Sequence, residues 1–381
     1  MKLFLHSPSK QSELTDIYKN AFSNAKELFV VSAYLTDWDE SLVINSKCKH
    51  FRLIIGKDFG ITRKTACEKV IKWLPSYRKC QFMVADNILG FHPKAMLWVD
   101  SKDKCFSLIG SSNLTRAAFE KNYEANIYSQ ISPDDYTTAK KWVKEIESQS
   151  VIVSEDWLNN YKEIVQCGVG KSFTNTPKPT SPTISLKLPT PSDIYELLKA
   201  RRKQLRTYLK NKDALLALFR SCASEEIDSL DFYEQLPSLW SWEVGNRLQG
   251  EGFERLGKAS DFQALAKSFL RILESSDADR DDVVVAEIDD LSANRVPTRK
   301  AFLSEMLCLA FPNDYPVLNK PVRNYLKAIK FNAPRGITEG GKYLDLAKKL
   351  RSSLIQNPKH PAKNIAELDT VIWRVYGKQE K

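Results

Sequence analysis

The sequence predicts an α/β domain followed by a mostly α-helical one. Three observations carry that expectation. Short apolar runs alternate with helical spacing through residues 1–166. A Pro-, Ser- and Thr-rich stretch at 167–192 interrupts the pattern and reads as a linker or extended strap. From 193 to 381 the apolar spacing is almost wholly helical. Strands interleaved with helices imply a layered sheet flanked by helices.

The elements follow in order. "ELTDIYKNAFSNA" has helical spacing. "ELFVVSAYL" (27–35) is a compact apolar strand, and "HFRLIIGKD" (50–58) is a second. "TRKTACEKVIKWL" then reads as a helix. Four more strands are expected: "CQFMVAD" (80–86), "FHPKAMLWVD" (91–100), "KCFSLIGSSN" (104–113) and "YEANIYSQI" (123–131). The helix "PDDYTTAKKWVKEIES" closes the domain. Beyond the linker, Asp193 and Glu196 stand in capping-box spacing at the start of a long helix. Pro237, Pro297, Pro312, Pro316 and "APRGITEGG" (333–341) break the helical remainder, and no internal repeat occurs.

Bulk properties narrow the class. A chain of 381 residues suits two domains. With 43% hydrophobic and 27% charged residues it is globular rather than disordered. No apolar run approaches the roughly 20 residues of a membrane span, and "MKLFLHSPSKQSELTD" does not read as a signal peptide. No membrane association is expected. The seven cysteines include no CxxC pair, which argues against a disulfide framework or zinc site and for a reducing cytoplasm. The net charge is +10, with 23 basic against 20 acidic residues in 1–170 and 34 against 27 beyond. That excess favours a polyanionic partner without identifying it. "GVGKS" resembles the end of a phosphate-binding loop, but Val165 stands where the motif needs glycine, so no nucleotide loop is expected.

The chemistry concentrates around His92. Side chains alternate faces along a strand, so His92 and Lys94 should share a face with Met96 and Trp98, opposite Ala95, Leu97 and Val99. The next strand ends in "GSSN", where Gly110 would permit a tight turn and Ser111 and Asn113 could aim donors at the same crevice. Glu124 follows eleven residues after Asn113, at the start of another strand. An imidazole, with an unperturbed pKa of about 6.5, is a competent nucleophile. An ammonium and an amide suit phosphate oxygens, and a carboxylate can orient an imidazole. No metal-ligand cluster stands out, and no cofactor is expected.

A lone histidine on a strand is more often a half-buried structural residue than a nucleophile. The joint pattern outweighs that reading. "HPK…GSSNLT…E" resembles the phospholipase D superfamily, whose signature is His-x-Lys, then a Gly-Ser-x-Asn turn, then a downstream acid. The resemblance spans residues 1–165 and includes His92, Lys94, Gly110, Ser111, Asn113 and Glu124. It departs at one point: the signature Asp five residues after the Lys is Val99 here, with Asp100 one step on. Nuclease and tyrosyl-phosphodiesterase branches often lack that Asp, so the departure favours nucleic acid over lipid. The chain is similar to metal-independent nucleases, including restriction enzymes with a single motif per chain.

The resemblance implies two motifs per active site, and this chain has one. It therefore implies a homodimer in which two His92 share one phosphate. One His92 would form a phosphohistidine and the other would protonate the leaving oxygen, then activate water. Lys94 and Asn113 would hold the nonbridging oxygens, Glu124 would orient His92, and Ser111 would donate to its own loop or to phosphate.

Other residues are weighed more plainly. His6, His50 and His360 have no coherent neighbours, and Asp100 reads as the start of a turn. Trp98 is expected to pack, with base stacking the sharper alternative. "KARRKQLRTYLKNK" (199–212) is a solvated helix face or a phosphate-tracking helix; Arg201, Arg202, Lys203 and Arg206 are its DNA-binding candidates. Arg63 and Lys64, and "YRK" at 77–79, are candidates to line the crevice. Residues 296–329 loosely resemble helical domains of bacterial defence nucleases and ATPases, against the blander reading of a bundle core. Arg299, Lys300, Lys320 and Arg323 are the ones to test there.

The expected function is a metal-independent phosphodiesterase, a DNA endonuclease (RNA being the other substrate) in bacterial antiviral defence or restriction. A separate ATPase or helicase subunit is a candidate partner. Two alternatives are a phospholipase D-like lipid phosphodiesterase and a non-catalytic nucleic-acid-binding subunit of a defence complex.

Overall fold

The computed structural model describes residues 1–8, 13–164, 182–248 and 257–377. The "GVGKS" stretch and most of the predicted linker lie outside them. The chain divides into two compact units. The first comprises Met1–Ile184 with Pro334–Ile337, and the second Ser185–Ala333 with Thr338–Lys381.

The first unit runs β1 (Lys2–His6), α1 (Leu14–Asn24), β2 (Ala25–Ser32), β3 (His50–Ile55), α2 (Lys64–Trp73), β4 (Phe82–Val84), β5 (Lys94–Asp100), β6 (Cys105–Gly110), α3 (Arg116–Glu120), β7 (Glu124–Ile131), α4 (Pro133–Ser148), β8 (Val151–Ile152) and α5 (Glu155–Asn160). The eight strands form one mixed sheet in the order β1-β7-β6-β5-β2-β3-β4-β8. β3 pairs parallel with both β2 and β4, and the other pairings are antiparallel. The near-continuous apolar runs of β2 and β3 belong to central strands covered on both faces.

The strand alternation decides the two layers. Val30, Met96, Trp98 and Leu108 face one core with Phe22 of α1 and Ala66, Cys67 and Val70 of α2. Phe29, Val31, Ile54 and Leu97 face the other, with Tyr136, Val143 and Ile146 of α4. Ser132 caps α4 by accepting the Asp135 amide, with Pro133 in its first turn. Two strands escaped the sequence pattern. β1 is an edge strand whose Leu3 and Leu5 are exposed, and β8 is two residues long.

Two buried ion pairs tie this unit together. Arg52 meets Glu147 at 3.2 Å, joining β3 to α4. Lys57 meets Asp86 at 2.9 Å, both fully buried. Asp86 also accepts Trp157 Nε1 (3.1 Å) and the Thr183 and Ile184 amides (2.8 and 3.1 Å), which straps residues 183–184 to the sheet unit.

The second unit is helical: α6 (Ile194–Ala223), α7 (Ser229–Gln235), α8 (Phe262–Glu274), α9 (Arg280–Ala293), α10 (Ala301–Ala310), α11 (Lys320–Ala328), α12 (Glu339–Gln356) and α13 (Ile365–Tyr376). Its main core centres on Phe219, Phe232, Phe262, Phe269 and Phe302. Asp193 precedes α6 but makes no side-chain cap. Its carboxylate instead receives Arg374 Nε at 2.6 Å, so a tertiary ion pair displaces the expected capping box. Among the described residues, no helix is long and apolar enough to cross a membrane.

Candidate active site

β5 starts at Lys94, two residues later than His92, so the expected strand over 91–100 begins late. His92 stands on the loop that delivers the chain to β5, while Lys94 shares its face with Met96 and Trp98 as expected. The cause is local. Gly90 takes the left-handed conformation (φ 73°) and turns the chain. The buried Asp58 carboxylate accepts from the next two amides, Gly90 N at 2.7 Å and Phe91 N at 3.1 Å. Phe91 is buried and His92 is left exposed beside it.

The His92 ring meets the Tyr34 ring edge to face, with centroids 5.8 Å apart. Lys94 Nζ lies 3.0 Å from His92 Nδ1, 3.3 Å from Nε2 and 3.0 Å from the His92 carbonyl oxygen. An ammonium has only donors, and a neutral imidazole has one acceptor nitrogen. A bond between them therefore requires the neutral ring and engages one nitrogen at a time. Burial pushes the Lys94 ammonium below the ordinary lysine pKa, and the Glu124 carboxylate partly offsets that.

The "GSSN" segment is held by β7. Ser111 Oγ donates to Glu124 Oε2 and accepts the Ala125 amide at 3.0 Å. Glu124 is buried and also accepts Asn122 Nδ2 at 3.0 Å. Asn126 Nδ2 donates to Ser112 Oγ at 2.8 Å. Ser32 Oγ donates to Tyr34 O (2.8 Å), accepts the Leu114 amide (3.0 Å) and lies 3.5 Å from Asn113 Oδ1. Asn113 Nδ2 has no partner among the described residues.

The structure revises several expectations. Glu124 bonds Ser111 and Asn122 rather than His92. Gly110 is not needed for a left-handed turn. A Cβ there would overlap the Ala125 carbonyl and the Asn126 side chain, so close approach of β7 demands glycine. Trp98 is buried in a stack with Phe106 and Tyr128. Asp100 Oδ1 accepts the Lys102 and Lys104 amides, as a turn residue does.

Arg201 is withdrawn as a DNA contact, because it is 2% exposed and ion-paired with Asp369 at 3.1 Å. The helical period turns one residue of that basic run inward, while Lys203 and Arg206 stay exposed. Arg202 holds Glu367 with two nitrogens, at 2.6 and 3.2 Å. Arg63 is engaged by Glu163 and Ile164 O, and Lys64 is partly exposed. Of the 77–79 run, Arg78 is buried against Gln81 and the Cys48 carbonyl. Arg299 and Lys300 both reach Glu339.

Sequence reasoning missed Asp58, Tyr34, Ser32, Asn122 and Asn126, because nothing in local spacing places them beside His92 or the "GSSN" segment. It also treated His6 as incidental. Strand register sets His6 directly across from Glu124, and its Nε2 is buried without a hydrogen-bond partner. His360 is structural: its ring accepts the Ala362 amide and contacts Pro189 O. Among the described residues, no group of three or more His, Cys, Asp or Glu could hold a metal ion.

Residues 18–149 match the family described as cardiolipin synthase, PLD-like domain. The sheet unit carries a phospholipase D-like domain. His92, Lys94, Ser111, Asn113 and Glu124 all fall within the matched range. Two solved structures are similar to parts of the chain. One is NucT from Helicobacter pylori, at 16% identity and TM-score 0.30, covering 40% of this chain and 98% of that one. The other is Nuc from Salmonella typhimurium, a phospholipase D family member, at 17% identity and TM-score 0.31, covering 39% and 95%. No curated protein matches the chain. The family match ends at residue 149, before the helical unit begins.

Proposed function

We propose that the chain is a metal-independent phosphodiesterase acting on nucleic acid, most simply a DNA endonuclease of bacterial defence that works as a homodimer. One observation carries the reading. An exposed His92, Lys94 Nζ 3.0 Å from its Nδ1, and the Ser111–Glu124 pair lie at adjoining strand ends of the phospholipase D-like domain.

In the proposed reaction a ring nitrogen of His92 attacks phosphorus, forming the N–P bond as the P–O bond to the leaving nucleoside breaks. The second subunit's imidazole gives its proton to that leaving oxygen. The same imidazole then takes a proton from water, whose oxygen attacks phosphorus and breaks the N–P bond. Lys94 turns from the His92 carbonyl to a nonbridging oxygen, and the open Asn113 amide takes another. Glu124 holds Ser111 and lends negative charge beside Lys94.

A row of exposed apolar side chains supports a second copy as partner. Leu3, Ile127 and Ile109 lie in cross-strand register, and Leu5 adjoins Ala125. They are 61%, 46%, 52% and 68% exposed for Leu3, Ile127, Ile109 and Leu5. The row runs up to Gly110, at the edge of the half-site. A contiguous apolar patch of this kind marks an interaction surface.

The test is cleavage of plasmid or single-stranded DNA, and of bis(p-nitrophenyl) phosphate, in EDTA. Wild type should cleave and folded His92→Ala should not. No turnover by wild type, alone or with its genomic neighbours, would sink the enzyme reading. Ile127→Glu should leave a monomer in light scattering with most activity lost; a dimer unaffected by that change would remove this surface from the argument.

A further inference from the structure

We infer that a cavity beside the candidate site receives a nucleobase of a single-stranded substrate, one carrying an exocyclic amine. The inference rests on the nucleic-acid reading above. The cavity measures about 440 Å³, within the range of roughly 300–1,000 Å³ usual for ligand sites. One side is Leu114 and Phe119, and Leu114 directly follows Asn113. The other is Trp38 in the loop after β2. The two sides are fixed to each other by the bridge between Leu35 and Leu114 and by Thr36 N donating to Leu114 O at 2.9 Å. The segment that carries the Asn113 amide thus continues directly into a wall of the cavity.

The charge of the rim selects the ligand. Asp37, Asp39, Glu40 and Glu120 line it with one basic residue, Arg116. Lys69 engages Asp37 and Arg116 engages Glu120, each at 2.8 Å. The exposed Asp39 and Glu40 carboxylates remain for a ligand, apart from the Ser41 amide on Asp39 Oδ1. In a chain of net charge +10 this local acid excess repels phosphate and accepts hydrogen bonds. Carboxylates accept from the exocyclic amines of cytosine, adenine or guanine, whereas thymine has one donor, N3–H, flanked by two carbonyl oxygens that an acidic rim repels.

The rings disfavour the other ligand such a rim could hold, a quaternary ammonium. A cation cage needs open aromatic faces. Tyr18 is stacked on Phe22, and Trp38 is packed against Phe22 and Trp73. The Arg116 side chain, 69% exposed, adds a positive charge that repels a cation but offers a planar face to a base. Trp38 is 5% exposed and its buried indole Nε1 has no hydrogen-bond partner.

The experiment compares labelled oligo-dC and oligo-dT on the His92→Ala full chain in EDTA by fluorescence anisotropy. Oligo-dC should bind about tenfold more tightly, and Asp39→Asn/Glu40→Gln should abolish the difference. In the wild-type background that double change should leave hydrolysis of the base-free bis(p-nitrophenyl) phosphate unchanged. Equal affinities, or a preference that survives the double change, would overturn the inference, as would oligo-dC displaced by phosphocholine with no base preference. Absence of hydrolysis by wild type refutes the catalytic reading separately, since the binding comparison does not depend on turnover.

Discussion

Asp58 is the residue on which the placement of His92 depends most directly. Its carboxylate is 1% exposed and holds two consecutive amides, those of Gly90 and Phe91, just before His92. Hydrogen bonds to a charged acceptor contribute about 1.5–3 kcal/mol each, so the pair is worth roughly 3–6 kcal/mol. The other carboxylate oxygen, Oδ1, is buried without a hydrogen-bond partner, which returns about 1–3 kcal/mol when the group is removed. Asp58→Ala should therefore cost the sheet unit about 2–3 kcal/mol in urea unfolding. The freed loop should also move His92, and a displacement of about 1 Å near reacting atoms costs on the order of 100-fold in rate. Asp58→Asn keeps an acceptor for both amides and should retain activity within about tenfold of wild type. The assay is hydrolysis of bis(p-nitrophenyl) phosphate in EDTA, with His92→Ala as the zero. A folded Asp58→Ala protein with wild-type kcat/KM would show that the loop holds itself, and the reasoning would be wrong.

Three further outcomes are expected. Lys94 is needed as an ammonium, and burial lowers its pKa, so activity should fall on an alkaline limb below the ordinary lysine value; Glu124→Gln removes the charge that raises it and should shift that limb to lower pH in a pH–rate profile. Asp86→Ala takes the carboxylate from the fully buried Lys57 and should destabilise by about 3–5 kcal/mol, while Lys57→Met/Asp86→Leu should recover much of the loss in the same urea titration. In the helical unit, burial pushes the Glu305 carboxyl up to about 7, although the Leu248 amide, Arg247 and Arg201 act in the other direction. Its folded value lies above its unfolded one, so its ionisation disfavours the fold. The stability it allows is full below the unfolded value and declines as pH rises toward about 7. Glu305→Gln should flatten that decline in calorimetry, and an unchanged slope would discard the assignment.

The legible part of the fold was the part with period. Six of the eight strands and α1, α2 and α4 announce themselves as alternating or helical apolar spacing. β1 and β8 do not, because an exposed edge strand and a two-residue strand bury too little to leave a pattern. The basic run on α6 shows the same limit from the other side. Its charges were visible, but only packing against α13 decided that Arg201 turns inward to Asp369 while Lys203 and Arg206 stay at the surface. Spacing around Gly110 suggested a turn, and the real constraint was the approach of a strand sixteen residues away at Asn126.

By itself, the sequence determined the chemical inventory: an imidazole and an ammonium two residues apart, the Gly-Ser-x-Asn segment, a following acid, and one copy of each. Those are properties of residue type and short spacing, which a linear chain states directly. Only the tertiary structure decided who touches whom. Glu124 was free by spacing to orient His92, and the register of β6 against β7 gave it to Ser111 instead. His92 sits on a loop because Asp58, thirty-four residues earlier, holds the two amides before it. Hydrogen bonds between distant segments are set by strand order and burial, and neither is written in local spacing.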